Sequence, residues 1–301
     1  MRSNRVYFIA GFSPRKGLFG TAAYLHELEG EEVEFTRFYM TRDGQWVNRE
    51  FNEDIVSISY AKEGNDASWW LLSKRGKVIS SSSKGRFEEI IPDAGTGPGK
   101  FGYLSDIRFI NGRLYAVGVG RQAYRRDNAQ WVRFDGEIRL KSTKVGFRAI
   151  DGLSEDSIHA VGYDGAIWYF DGRAWKEAHS PTNQTLEAVR VASPGLCYVC
   201  GKSGVVLRGY RDSWELMKSD VRENFWGIES FKNHIYLATT SGLFIINGGS
   251  LQKMDLERKV EGRKLYSNGD EMWSMEHHEI WIFDGKSWRE AICPDNAIGS
   301  P

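Results

Sequence analysis

Three cysteines in 301 residues are too few for a disulfide framework in a chain of this length. That scarcity leads us to expect a reducing, cytoplasmic setting. No run of 18 or more apolar residues occurs, so no membrane span and no membrane partner are expected. The opening MRSNRVYFIAG lacks an apolar stretch followed by a small-residue cleavage site, and no secretory leader is expected either. Charge of one sign is missing too, since 40 Lys and Arg offset 40 Asp and Glu. A surface that tracks phosphates needs an excess of cations, so nucleic acid is not an expected partner. A 3.6-residue apolar period is absent from every long window, so helix should be scarce.

What the chain does have is a repeat. IWYFDGRAW at 167–175 returns as IWIFDGKSW at 280–288, each reading as a strand, an Asp-Gly turn and a second strand opening on tryptophan. Asp-Gly between apolar runs is a strong hairpin signal, because both turn positions favour positive φ. Along the chain that tryptophan, or an apolar stand-in, falls at Trp46, Phe87, Trp131, Trp175, Trp214, Leu251 and Trp288. The gaps are 41, 44, 44, 39, 37 and 37 residues, and such a period with several short strands per unit marks a β-propeller blade. The expected fold is all-β: a single seven-bladed propeller of four-stranded antiparallel blades. The blades are placed at about 4–51, 54–91, 104–139, 147–178, 186–218, 225–256 and 263–293. Blade one is the least regular, with SPRKGLFG read as an insertion between its first two strands. The tail PDNAIGSP either lends a closing strand or frays. Bulky anchors toward the rim and the Ala-Val-Gly runs at 116–118 and 160–162 near the axis suit wedge-shaped blades.

AVGYDGAIWYFDGRAW resembles the repeats of bacterial propeller proteins in the broad WD-like, YVTN and BNR-like group. The likeness is strongest in blades four and seven and weakest in one and two. The Gly-His and Trp-Asp dipeptides of true WD repeats, the Gly-Gly of kelch and the sialidase Asp-box are missing. The resemblance implies architecture and a binding role. Chains of this size with such repeats also look like some immunity proteins encoded beside secreted bacterial toxins.

Catalytic motifs do not withstand scrutiny. GTGPGK at 95–100 has three residues between its outer glycines where a phosphate loop has four, and Phe101 follows the lysine. Cys197 and Cys200 stand three apart on one strand, which sends their sulfurs to opposite faces. His277-His278 lacks further ligands, so neither a metal nor another cofactor is expected. Glycosidase chemistry needs two carboxylates at a set separation; Asp54, Glu89, Asp106, Asp151, Glu187 and Glu229 are candidates that share no blade position. Arg121, Arg125 and Arg126 around Tyr124 form the densest basic cluster, read as a solvated strand face or as a salt-bridge site for an acidic partner. The chain is therefore expected not to be an enzyme.

In a propeller the loops between blades (D–A) and the B–C turns share one face of the disc. Here they are long, charged and unlike one another, and loops on a rigid scaffold carry function. Partner contact is expected there, through Arg222, Glu223, Trp226, Arg258, Lys259 and Glu261, with His277, His278 and Arg121. Trp226 could serve as an aromatic anchor ringed by charge, or pack within its strand. The expected function is a monomeric, non-catalytic propeller that blocks the active site of a cognate toxin. Two alternatives stand beside it: a hydrolytic, carbohydrate-active propeller with a carboxylate-lined channel, and a scaffold for several partners.

Overall fold

The computed structural model of the chain describes residues 5–63, 66–256, 258 and 260–297. Seven antiparallel sheets of four strands each follow one another along the chain, with strand order in every sheet matching the sequence. The first strands are Val6–Arg15, Ile55–Glu63, Leu104–Ile110, Phe147–Gly152, Leu186–Ser193, Phe225–Phe231 and Lys264–Ser267. Each packs against the first strands of the blades on either side, and the last packs against the first, so they encircle the axis. This is an all-β seven-bladed propeller. Among the described residues helix is confined to four 3₁₀ turns.

Small residues in the second strands let backbone pass close by. A Cβ on Gly162 would lie 1.9 Å from the Gly146 carbonyl oxygen, and one on Gly118 would lie 2.3 Å from that of Tyr103. The tryptophans seal the seams between blades. Trp175 is buried against Phe134, Phe147 and Phe170, and its indole N–H donates to the Phe134 carbonyl at 2.8 Å. Trp131 reaches blade two in the same way and donates to Glu89 at 2.8 Å. Fully burying such a ring contributes about 2–3 kcal/mol, which makes these seams a main source of stability.

Phe87 departs from that pattern. It is 59% exposed, and the residue opposite Ser81 in the anchor register is Arg86, whose guanidinium lies 5.0 Å from the Phe51 ring centre. The one-residue offset turns Phe87 onto the other face of its strand. The turns also differ from expectation. Asp164-Gly165 has both φ values positive, at 55° and 72°, but in the repeated FDG only Gly172 is positive, at 93°. There Asp171 acts through its side chain, accepting the N–H groups of Arg173 and Ala174 at 2.9 and 3.0 Å.

The ring closes without strand exchange between termini. SPRKGLFG is no insertion: it forms the tip of a long hairpin whose strands run to Arg15 and from Leu18. Phe19 stacks on Trp273 of blade seven at 4.5 Å, and Gly11 N–H donates to the Tyr266 hydroxyl at 2.9 Å. In the tail, Pro294–Asn296 is a 3₁₀ turn. Asn296 accepts the Val6 N–H at 2.9 Å and donates to the carbonyls of Val6 at 3.1 Å and His278 at 2.7 Å. Asp295 takes hydrogen bonds from Arg37 and Tyr39, both at 2.5 Å.

Candidate functional site: the loop face and the axis beneath it

The axis is filled before any partner arrives. Arg108, Asp151, Arg190 and Glu229 lie opposite Tyr115, His159, Tyr198 and Tyr236 in their hairpins. They therefore hold one position in blades three to six, alternating in sign, a recurrence hidden by the irregular spacing of the sequence. Arg190 pairs with Glu229 at 2.9 Å and with Asp151 at 3.6 Å. One turn of the strand nearer the loop face, Arg148 pairs with Glu187 at 2.9 Å. Burial pushes the Glu229 carboxyl up, against the pull of Arg190 and Arg108, while Glu229 leads in raising Arg190. Lys264 is pushed down by burial, opposed by Glu187. The cavity these side chains leave has a volume of about 70 Å³, far below that of an ordinary small-molecule site.

All six candidate carboxylates are committed. Asp106 accepts from Ser57 Oγ at 2.6 Å and from the Ile150 N–H at 3.1 Å. Asp151 accepts the Val191 N–H at 2.8 Å, Asp54 pairs with Lys74, and Glu89 is held by Arg126 and Trp131. None of the six belongs to a free acid pair at the axis, which disfavours the hydrolytic alternative there. The basic cluster is equally occupied: Arg125 pairs with Asp127 and Glu155, and Arg126 pairs with Glu89 over the Trp70 ring. Cys197 and Cys200 pack into different interblade clusters, and all three thiols are free and buried. GTGPGK is tied into its loop by reciprocal Gly95–Gly102 hydrogen bonds of 2.9 Å.

The loop face is ordered by short polar links from blade to blade. Gln184 accepts from Ser203 Oγ at 3.1 Å, Asn224 accepts the Ser203 N–H at 3.0 Å, and Glu223 accepts from Ser241 Oγ at 2.5 Å. Arg222 projects from the same loop, exposed and without an ion-pair partner among the described residues. Trp226, second in the first strand of blade six, is half-buried. Arg258 is strapped down: it stacks on Trp281 at 3.8 Å and pairs with Glu276 at 2.6 Å. Glu276 in turn accepts the Glu261 N–H at 3.1 Å.

His277 and His278 lie half-buried at the junction of blades seven and one, against the Tyr7 ring at 5.5 and 4.5 Å. His278 Nδ1 is 2.9 Å from the Val6 carbonyl oxygen. Burial lowers the pKa of both imidazoles. Arg121 sits in blade three, away from the others, over the Trp168 ring and 3.7 Å from Glu177. Lys259 lies outside the described residues. The candidates thus form an arc over blades five, six and seven, with Arg121 apart from it.

Sequence reasoning missed the next piece of that arc. The B–C connection of blade one carries Glu27, Glu29, Glu31 and Glu32, all exposed. Tyr7 joins it to the histidines, stacking on His26 at 5.1 Å and donating to Glu29 at 3.1 Å. The run HELEGEEVEF was the available signal, obscured because its ends read as strands.

No protein-family profile matches the chain. It is 34% identical over 242 residues to the immune protein Tsi7 of Pseudomonas aeruginosa, covering 78% of this chain and 79% of that one. Among solved structures it resembles the WD40 β-propeller domain of Doa1, with a TM-score of 0.68, 13% identity and 95% of each chain covered. It also resembles YCF48 bound to D1 peptide, with a TM-score of 0.68, 16% identity and 93% of each chain covered.

Proposed function

The chain belongs to the family of the immune protein Tsi7, and from that premise we propose that it neutralises a secreted bacterial toxin by covering the toxin's active site with its loop face. It is a toxin-neutralising, non-catalytic propeller, and the kinship over most of its length is the observation that carries this reading. The committed axial carboxylates support it, since they leave no acid pair for hydrolysis. Three free thiols agree with action in the cytoplasm.

The contact surface we favour is the arc from Arg222, Glu223 and Trp226 across Arg258 and Glu261 to His277 and His278. It extends to the acidic connection at Glu27–Glu32, while Arg121 lies outside it. Glu27, Glu29, Glu31 and Glu32 give this end of the arc an exposed run of one sign, so the matching surface is basic and association is faster at low salt. Trp226 supplies the apolar anchor. One protomer acts on one toxin.

The test is rescue of cells that express the product of the adjacent gene. Wild-type chain restores growth and co-purifies as a one-to-one complex. The Glu31→Lys/Trp226→Ala double variant, folded by circular dichroism, loses at least tenfold in affinity. Unchanged affinity in that variant refutes the surface, and absence of any complex refutes the function.

A further inference from the structure

Six of the seven seams between blades contain an apolar anchor from the outermost strand: Trp46, Trp131, Trp175, Trp214, Leu251 or Trp288. In the seam between blades one and two the outermost strand of blade two supplies none, and Phe51 from the outermost strand of blade one is the apolar residue that enters it. Arg86 occupies the anchor register there and lies across Phe51 without filling the gap. A groove of about 620 Å³ opens at this seam, within the range of binding sites in general; one of about 610 Å³ lies beside Trp46 between blades seven and one, but Asp43, Glu271 and Glu290 line it. The floor of the groove between blades one and two is apolar, including Phe38, Trp69 and Leu71.

That groove carries charge of one sign. Arg49 stands opposite Phe38 on the neighbouring strand, and Arg42 follows Met40 on the same face. Among the described residues both arginines are exposed without an ion-pair partner, and no carboxylate lines the groove. The strand bordering it, Gln45–Phe51, has seven residues, against three or four for the outermost strands of blades three to seven. Its outer edge is unpaired, and a long free edge is a template for strand addition.

We propose that this seam is a docking groove for an extended acidic segment of a partner protein, with one apolar side chain filling the space that tryptophan takes in other seams. Carboxylates of the segment meet Arg42 and Arg49, and its backbone adds to the edge of Gln45–Phe51. The groove opens at the end of the blades marked by Arg42 and Ser81–Ser83, away from the D–A and B–C loops. A partner seated on the loop face leaves it open, so the two surfaces are independent.

The probe is a fluorescein-labelled heptapeptide alternating glutamate and valine around a central tryptophan, with a lysine counterpart as control, read by fluorescence polarisation on the full chain. The acidic peptide binds saturably and the lysine peptide at least tenfold more weakly. Arg42→Glu/Arg49→Glu weakens binding at least tenfold. Arg86→Trp fills the seam, weakens binding to the same extent and raises the melting temperature, which shows that the loss is not unfolding. Absence of saturable binding, equal binding of both peptides, or indifference to both variants overturns the proposal. Loop-face variants leave peptide binding unchanged, so failure of toxin neutralisation is read separately.

Discussion

Replacing Asn296 by alanine tests how the ring is closed. The side chain makes three hydrogen bonds, of 2.9, 3.1 and 2.7 Å, to Val6 N–H, Val6 C=O and His278 C=O, joining the first strand of the chain to its last blade. Each is part-buried, and a hydrogen bond of this kind contributes about 1 kcal/mol net, so the loss sums to about 3 kcal/mol. At 2–4 °C per kcal/mol, typical for domains somewhat smaller than this one, the apparent melting temperature falls by roughly 6–12 °C. Asn296→Asp keeps one acceptor but sets a carboxylate against two carbonyl oxygens, and costs at least as much. Thermal unfolding followed by circular dichroism at a fixed scan rate gives the size of the effect. Amide hydrogen exchange locates it: Phe8, whose N–H donates to the His277 carbonyl at 2.9 Å, loses protection before amides in blade four. A melting shift under about 1 °C, or equal loss in all blades, refutes the clasp.

Three further outcomes follow from the same geometry. His159 is fully buried, accepts the Arg211 N–H at 3.1 Å and has its pKa pushed down to about 4 by burial. The unfolded chain therefore takes up a proton first, and stability present above pH 6.5 is lost as pH falls toward 4, by about 2 kcal/mol at pH 5; His159→Gln removes this dependence in urea titrations at pH 7.5 and 5. Trp175→Ala opens the seam between blades three and four and costs about 3–5 kcal/mol in the same assay, whereas Phe87→Ala, on an exposed side chain, costs under about 1 kcal/mol. Arg190→Met strands Glu229 and destabilises by about 3 kcal/mol, and adding Glu229→Gln recovers part of that loss, a coupling that a double-mutant cycle measures.

The architecture could be read from the sequence because it rests on local signals repeated seven times. An aromatic residue just after a tight turn, or Leu251 in blade six, marks each outermost strand, and alternation of small and large residues marks the inner ones. Phe87 shows the limit of that reasoning. Arg86 and Phe87 are neighbours on a strand with opposite faces, and only cross-strand register decides which one enters the seam. Asn296 is similarly unreadable, because its partners lie 290 and 18 residues away and no repeat predicts them. On the loop face, the sequence located Arg222, Glu223 and Trp226 but could not show that Arg258 is held on Trp281 or that the histidines pack on Tyr7. Those contacts arise between blades, where the repeat carries no information.

The axial charges bear on function through what they leave over. Ser57, Asp106 and Asp151 each turn a side chain onto the backbone N–H of the next blade, at Ile107, Ile150 and Val191 respectively. In blades two, three and four one acid or hydroxyl thus pins the next blade, and Arg108 and Arg190 lie beside Asp106 and Asp151. A hydrophobic axis could match this in stability, since desolvating ion pairs offsets much of their attraction. It would not impose the blade-to-blade order that directional hydrogen bonds impose. An axis used in this way cannot also hold a substrate or present two free carboxylates. The two surfaces we propose for recognition, the variable loops on one face and the seam between blades one and two, both lie outside this axial network.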